Sequence, residues 1–202
     1  MKKKYVQVGL GGRARFFYEA IASTYHQTCE LVGFCDVSQT RMDYANRVLV
    51  IKYGQKKVKT CMPSQFEQLL DDVQPDEVII TSVDRTHHDY IIRAMRKGYD
   101  VICEKPLTID EEKAQEIITV QKQTGRNLRV TFNYRYAPYH TKIKELLEKD
   151  IIGDVFSIHF EWLLNTQHGA DYFRRWHRNK HNGAGFFGPH PTHKINSGEI
   201  WV

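Results

Sequence analysis

Apolar and polar positions alternate along this chain in short bursts, separated by longer amphipathic stretches, with glycines at the joins. Lys4-Tyr5-Val6-Gln7-Val8 reads as a strand, Gly9-Leu10-Gly11-Gly12 breaks it, and Ala14, Phe17 and Ile21 resume at helical spacing. Residues 30–35 form a second strand that ends at Asp36. Met42, Ala45 and Leu49 then mark a helix, and Lys57-Val58-Lys59-Thr60 a short edge strand. Ser64-x-x-Glu67 predicts a capping box opening a helix with Phe66, Leu69 and Leu70 on its inner side. The continuous apolar run at residues 77–81 predicts a strand buried on both faces. A polar loop, Ser82-Val83-Asp84-Arg85-Thr86-His87, leads into a helix through Ile91, Ala94 and Met95, closed by Lys97-Gly98.

Residues 100–103 are the next strand, running into Glu104-Lys105-Pro106-Leu107. Thr108-x-x-Glu111 is expected to cap a helix with Ala114, Ile117 and Ile118 inward and Gly125 at its end. Residues 128–134 close the series as a last strand. Five or six strands alternating with helices predict an α/β fold, a doubly wound parallel sheet. Ligands of such sheets bind at the carboxyl ends of the strands. The glycine turn, Asp36, the 82–87 loop and Glu104-Lys105 all fall there.

Beyond Ala137-Pro138 the pattern changes. A helix through Ile143, Leu146 and Leu147 is expected to run to Gly153. One long alternating strand follows over residues 155–165, with Phe156, Ile158, Phe160 and Trp162 on one face. From Thr166 onward the chain is polar, basic, and rich in histidine and glycine. The organisation expected is a dinucleotide-binding domain over 1–126 and an incomplete α+β second domain over 127–202. The apolar face and unpaired edge of that long strand predict a homo-oligomer or poor solubility.

Composition narrows the class. A chain of 202 residues with 41% hydrophobic and 12% aromatic content can pack a core. No apolar run approaches the roughly 20 residues of a membrane span, so no membrane partner is expected. Met1-Lys2-Lys3-Lys4 leads straight into strand residues, which argues against a signal peptide. Cys29, Cys35, Cys61 and Cys103 lie in or beside strands without a C-x-x-C pair, as in a reduced, cytoplasmic protein. The net charge of +5 raises nucleic acid as a partner. The cations are spread through the chain, however, and only residues 174–181 concentrate them, so no nucleic-acid role is expected.

The candidate chemistry starts at the glycine turn. In a strand–turn–helix context, Gly9-x-Gly11-x-x-Ala14 is a pyrophosphate-binding pattern. Gly9 permits the tight turn, Gly11 lets backbone approach the phosphates, and Ala14 lets the helix pack close. The anion would sit on N–H groups at the positive end of the helix. Asp36 lies 22 residues past Ala14, close to the spacing of an acid that binds the ribose hydroxyls of NAD and repels a 2′-phosphate. Arg41, one helical turn on, blurs that preference and keeps NADP open. His87 is either a helix-start residue satisfied by backbone or a cofactor contact. His177-x3-His181 and His190-x2-His193 have spacings compatible with a metal, but no cysteine joins them and glycines separate them, so no metal is expected.

Together these blocks resemble the Gfo/Idh/MocA family of NAD(P)-dependent sugar and cyclitol oxidoreductases. They are Val8-Gly9-Leu10-Gly11-Gly12-Arg13-Ala14, Asp36, residues 82–87, Glu104-Lys105-Pro106 and Asn133-Tyr134-Arg135-Tyr136-Ala137-Pro138. The resemblance extends to about residue 181, and His168 to His177 looks like one subgroup. It implies a cofactor set of Gly9, Gly11, Gly12, Arg13, Ala14, Asp36, Arg41, Ser82, His87, Glu104, Lys105 and Arg135. It also implies that Lys105 sits between nicotinamide and substrate, with Glu104 and Pro106 fixing its position. An ammonium there hydrogen-bonds the hydroxyl being oxidised and stabilises developing alkoxide. Without the motif, a lysine after a strand reads as a solvated charge. Asn133 and Arg135 fall near nicotinamide or substrate by the same resemblance; a salt bridge between domains explains Arg135 equally well.

The family's catalytic region has an acid, a histidine four residues later and an aspartate three beyond. Ungapped placement puts His193 on the histidine, with Pro189 at the acid and Asn196 at the aspartate; a loop one residue shorter brings His190 to the acid position. Asp171, Trp176 and Arg178 are candidates for holding a hydroxyl-rich substrate. Family members are longer, and a truncated or frameshifted gene would leave this trace. The resulting expectation is an oxidoreductase moving a hydride between nicotinamide and a sugar, cyclitol or related polyol. In it Lys105 orients the hydroxyl and His193 takes its proton. The alternative is a nucleotide-binding remnant without turnover.

Overall fold

The computed structural model describes residues 1–159, 161, 163, 165–167, 170, 174–179 and 181–183. The chain divides into two compact units, Met1–Val130 and Thr131–Val202. In the first, β1 (Lys3–Val8), β2 (Cys29–Cys35), β3 (Lys59–Cys61), β4 (Glu77–Ile80), β5 (Asp100–Glu104) and β6 (Leu128–Thr131) join in one sheet, ordered β3-β2-β1-β4-β5-β6. The pairings β1–β2, β1–β4, β2–β3 and β4–β5 are all parallel. Helices α1 (Ala14–Ala22), α2 (Gln39–Tyr53), α3 (Phe66–Val73), α4 (Asp84–Arg96) and α5 (Glu111–Thr124) make the crossovers.

The period-2 alternation of the strands decides which helix packs where. Val6, Val8, Cys35, Val78, Ile80, Val101 and Cys103 share a core with Phe66, Leu69, Leu70, Ile91, Met95 and Ile117 of α3, α4 and α5. Phe34 and Leu10 pack instead with Ala14 and Tyr18 of α1 and with Met42, Ala45 and Leu49 of α2. Helices therefore cover both faces, and the chain changes direction beside β1. It runs β1 to β3 toward one edge, then returns to lay β4 on the other flank of β1. A crevice opens at such a switch point, outside the carboxyl ends of β1 and β4.

Several local expectations are corrected. The Ser64 capping box does not form: Pro63–Gln65 is a 3-10 turn, and α3 begins at Phe66 without a side-chain cap. Its Glu67 is taken by Arg93, whose Nη2 donates to the carboxylate at 2.6 Å and to the Pro63 carbonyl at 3.0 Å. A bidentate arginine outcompetes a single backbone N–H. At α5 the cap is Asp110, whose carboxylate accepts from the Lys113 N–H at 2.9 Å, not Thr108. Val120, not Ile118, faces the core beside Ile117. β6 ends at Thr131, and Asn133–Tyr136 is a 3-10 turn rather than strand. In the second unit α6 (Pro138–Glu148) stops at Lys149, short of Gly153.

The long strand expected over 155–165 is not observed at its described residues, 155–159, 161, 163 and 165. Alternation gives a segment two faces, but a strand also needs a neighbouring backbone to bond to. No described residue supplies one there, and Phe156 and Ile158 are 95% and 65% exposed. Phe160 and Trp162 lie outside the described residues. Among the described residues no helix is long and apolar enough to cross a membrane.

Glu19 ties α1 to α2. Its carboxylate accepts from Lys52 at 2.7 Å, from the Tyr53 hydroxyl and from Arg15 at 2.8 Å. The Lys52 ammonium and the Tyr53 hydroxyl hold the Glu19 carboxyl down at about 2. A carboxyl depressed in the folded state stabilises above its unfolded pKa, and that contribution disappears as pH falls through the folded value. Glu19→Gln is therefore expected to cost about 1 kcal/mol at pH 7. Urea midpoints of variant and parent should converge between about pH 4.5 and 2; a pH-independent gap would disprove the link.

Candidate dinucleotide site

The glycine turn follows β1 directly. Gly9 has φ +80°, and its N–H donates to the Cys35 carbonyl at 2.8 Å. A Cβ on Gly9 would lie 2.5 Å from the Ser82 Cα and N, so the ends of β1 and β4 touch backbone to backbone. Gly11 and Gly12 differ, since a Cβ on either meets nothing within 4 Å. α1 starts at Ala14 with no side-chain cap and no acid in its first turn. Among the described residues, the N–H groups of Gly11, Gly12 and Arg13 have no backbone acceptor. An uncapped helix start with open space above its glycines fits a pyrophosphate, because an anion there satisfies N–H groups that the chain leaves bare.

Two buried polar residues support the turn from beneath. Gln7, fully buried in β1, donates from its amide to the Ala14 carbonyl at 3.0 Å and to the Thr81 hydroxyl at 3.1 Å. Thr81 donates in turn to the Gly9 carbonyl at 2.6 Å. Sequence reasoning missed both. The available signal was Gln7 itself, since a central strand covered by helices on both faces has no solvent side for a polar residue.

Asp36 lies at the end of β2 and is 5% exposed. One carboxylate oxygen accepts from the Leu10 N–H in the glycine turn, and the other from the Ser38 N–H at 2.8 Å. Arg41 Nη1 approaches that second oxygen at 3.6 Å. The acid and the turn are thus physically joined. Beside them a cavity of about 800 Å³ is lined by Leu10, Arg41, Tyr44, Arg47 and Lys57 among others. Asp43 lies in the same lining, so the cavity carries both signs of charge.

Glu104 connects the turn to the next loop. It is 4% exposed; Oε1 accepts from Arg13 Nε at 2.7 Å and Oε2 from the Lys105 N–H at 3.1 Å. One buried carboxylate thereby holds Arg13 of the glycine turn and the backbone of Lys105. The Lys105–Pro106 peptide is cis. Burial pulls the Lys105 amine below the ordinary lysine range, while the carboxylates of Glu104 and Asp84 oppose that shift. Ser82, half-buried, pairs its hydroxyl with that of Thr86 at 2.8 Å. His87 is buried and lies between two carbonyls, with Nδ1 2.8 Å from that of Pro106 and Nε2 3.1 Å from that of Ser82. Its ring is spent on backbone.

The remaining candidates belong to the second unit. Arg135 is exposed in the turn Asn133–Tyr136. Trp176 stacks on His177 with ring centroids 3.6 Å apart, and Arg178 closes the same turn, exposed. Asp171, His190 and His193 lie outside the described residues. Among the described residues no three metal-ligating side chains cluster.

Comparison with known proteins agrees with this arrangement. Residues 3–132 match the family model GFO_IDH_MocA, described as an oxidoreductase family with an NAD-binding Rossmann fold. Residues 144–201 match the model of that family's C-terminal alpha/beta domain. YteT of Bacillus subtilis, an oxidoreductase by name, is 30% identical over 202 residues, 99% of this chain and 46% of that protein. Glucose-6-phosphate 3-dehydrogenase of the same organism is 30% identical over 169 residues, 81% of this chain and 43% of the relative. The chain thus spans about half the length of the curated relatives it matches. Among solved structures, WlbA dehydrogenase from Bordetella pertussis, in complex with NADH and UDP-GlcNAcA, superposes with a TM-score of 0.78 at 19% identity, over 100% of this chain and 57% of that one. Scyllo-inositol dehydrogenase from Lactobacillus casei, with NAD(H) and scyllo-inositol, gives 0.67 at 24%, over 76% and 43%. At those identities the two structures speak for the fold alone. With the glycine turn, Asp36 and the E-K-P loop joined at one switch point, and with most of its length matched by the family's nucleotide-binding model, the chain belongs to the Gfo/Idh/MocA oxidoreductase family.

Proposed function

We propose that this chain forms the nucleotide-binding part of an NAD-linked oxidoreductase acting on a CH–OH group of a sugar, cyclitol or related polyol. The observation that carries the reading is Glu104. Through Arg13 and the Lys105 backbone it fixes the lysine loop to the turn that fits the pyrophosphate. The names of relatives such as glucose-6-phosphate 3-dehydrogenase support a hydroxyl-rich substrate. In this reading the bare N–H groups of Gly11, Gly12 and Arg13 hold the phosphates, Asp36 accepts ribose hydroxyls, and Ser82 borders the crevice. When bound, NAD supplies the hydride acceptor. Lys105 orients the substrate hydroxyl and stabilises negative charge as it develops on that oxygen. His193 takes the proton, and Asp171, Trp176, Arg178 and Arg135 contribute to holding substrate and cofactor.

Fluorescence titration with NADH and with NADPH tests the reading at its base. Saturable binding, tighter for NADH, is expected. Asp36→Arg should weaken NADH at least about 100-fold, since it removes a buried acceptor and places a cation against ribose hydroxyls. No binding of either nucleotide would overturn the proposal. Binding without turnover across a polyol panel would favour the alternative, a nucleotide-binding remnant.

A further inference from the structure

His87 presents one ring to two acceptors. Nδ1 lies 2.8 Å from the Pro106 carbonyl, Nε2 lies 3.1 Å from the Ser82 carbonyl, and the residue is 1% exposed. A neutral imidazole has a single N–H, so it can donate to only one of them. The two carbonyls belong to different segments, one following β4 and the other inside the loop that carries Lys105. Nothing in the nucleotide chemistry described above uses this ring.

We propose that His87 is a positioning residue for Lys105, bracing the Lys105-Pro106 loop against the end of β4 at Ser82. The role rests on the reading of Lys105 as the substrate-facing lysine; the brace itself does not. The neutral ring carries its proton on Nδ1 and donates to Pro106, the nearer acceptor. A second proton on Nε2 closes the bond to Ser82. Burial opposes that charge and holds the ring below the ordinary histidine range, against the two backbone carbonyls and the carboxylate of Glu104, which favour it; the Lys105 ammonium works with burial. The brace is therefore one-sided at neutral pH and two-sided in acid.

Nuclear magnetic resonance of the full chain tests this without substrate or cofactor. In 15N-histidine protein at pH 7.5, His87 should show the Nδ1–H tautomer and titrate at lower pH than the exposed histidines. The Lys105 side-chain signal, identified by its loss in Lys105→Met, reports the loop. His87→Leu should move the Lys105 titration upward as the loosened loop admits water. His87→Asn, whose amide keeps a donor near the Nδ1 position, should restore it. A histidine with only a packing role would lower stability in both variants and leave the Lys105 titration in place. That result, or an Nε2–H tautomer in the parent, overturns the proposal. If His87→Leu fails to fold, the parent tautomer and the Asn variant still decide. Failure of the parent to bind NADH would instead sink the oxidoreductase reading and leave these signals unaffected.

Discussion

Gly9→Ala is expected to destabilise the first unit by about 4 kcal/mol, adding a left-handed non-glycine residue to a backbone overlap. Gly9 has φ +80°, and its new methyl would sit 2.5 Å from the Ser82 Cα and 2.7 Å from the Thr81 carbonyl carbon. Neither neighbour can swing away. The Thr81 N–H is bonded to Val8 at 2.8 Å, and the Thr81 hydroxyl to the Gly9 carbonyl at 2.6 Å. Against a typical stability of 5–15 kcal/mol this is a large share. The urea midpoint should fall steeply, and NADH binding should fall with it. Gly11→Ala and Gly12→Ala provide the contrast, since their methyls meet nothing within 4 Å. They should leave the midpoint within about 1 kcal/mol while weakening NADH, because the space they fill is the space offered to the phosphates. A parental midpoint for Gly9→Ala would show that β1 and β4 do not meet as described.

Lys105→Met is the second large effect, and its two consequences have opposite signs. On the proposed function, turnover of a polyol should drop about 1,000-fold, the loss of one charged donor at a developing oxyanion. NADH affinity should change far less than turnover, because the proposed reading places the Lys105 ammonium toward the substrate hydroxyl. Stability should rise. Burial depresses the Lys105 amine, so at neutral pH the folded protein carries a charged group it disfavours. For a base lowered on folding, the unfolded chain binds the extra proton. Stability therefore increases as pH rises through the folded pKa, and the handicap is present below it. Methionine removes that handicap, so the melting temperature at pH 7 should go up, and the gap to the parent should close in alkali. Steady-state kinetics with calorimetry at two pH values checks both. A lower melting temperature for the variant would mean that Lys105 is held by favourable partners rather than tolerated for its chemistry.

Periodicity made most of the first unit legible. The alternation at Val6 and Val8 and the 3.6-residue spacing of Ile91 and Met95 report burial, and burial is what the core enforces. The chemistry-bearing turn was legible for another reason: Gly9, Asp36 and Glu104-Lys105 each lie at the carboxyl end of a strand, and a parallel sheet brings those ends to one edge. What misled were features with a competitor or a missing partner. Ser64 and Thr108 match capping patterns, yet Arg93 captures Glu67 and Asp110 caps α5 instead. Residues 155–165 alternate well, but a pattern cannot name the strand that would pair with them. Sequence alone does not decide between the two roles of His87, because its distances to Ser82 and Pro106 exist only once β4 and β5 are adjacent.

The uncapped start of α1 carries a consequence for the life of the protein in a cell. Of the six α-helices described only α5 has a side-chain cap; what sets α1 apart is the open space above the glycines that lead into it, where a nucleotide phosphate fits. A ligand that binds the native but not the unfolded chain adds RT ln(1 + [L]/Kd), about 2.7 kcal/mol when it is present at 100 times its dissociation constant. When nucleotide is scarce that increment is lost, and the first turn of α1 with the loop before it is expected to become easier to open and to cleave. The abundance of the protein would then follow the supply of the nucleotide it binds.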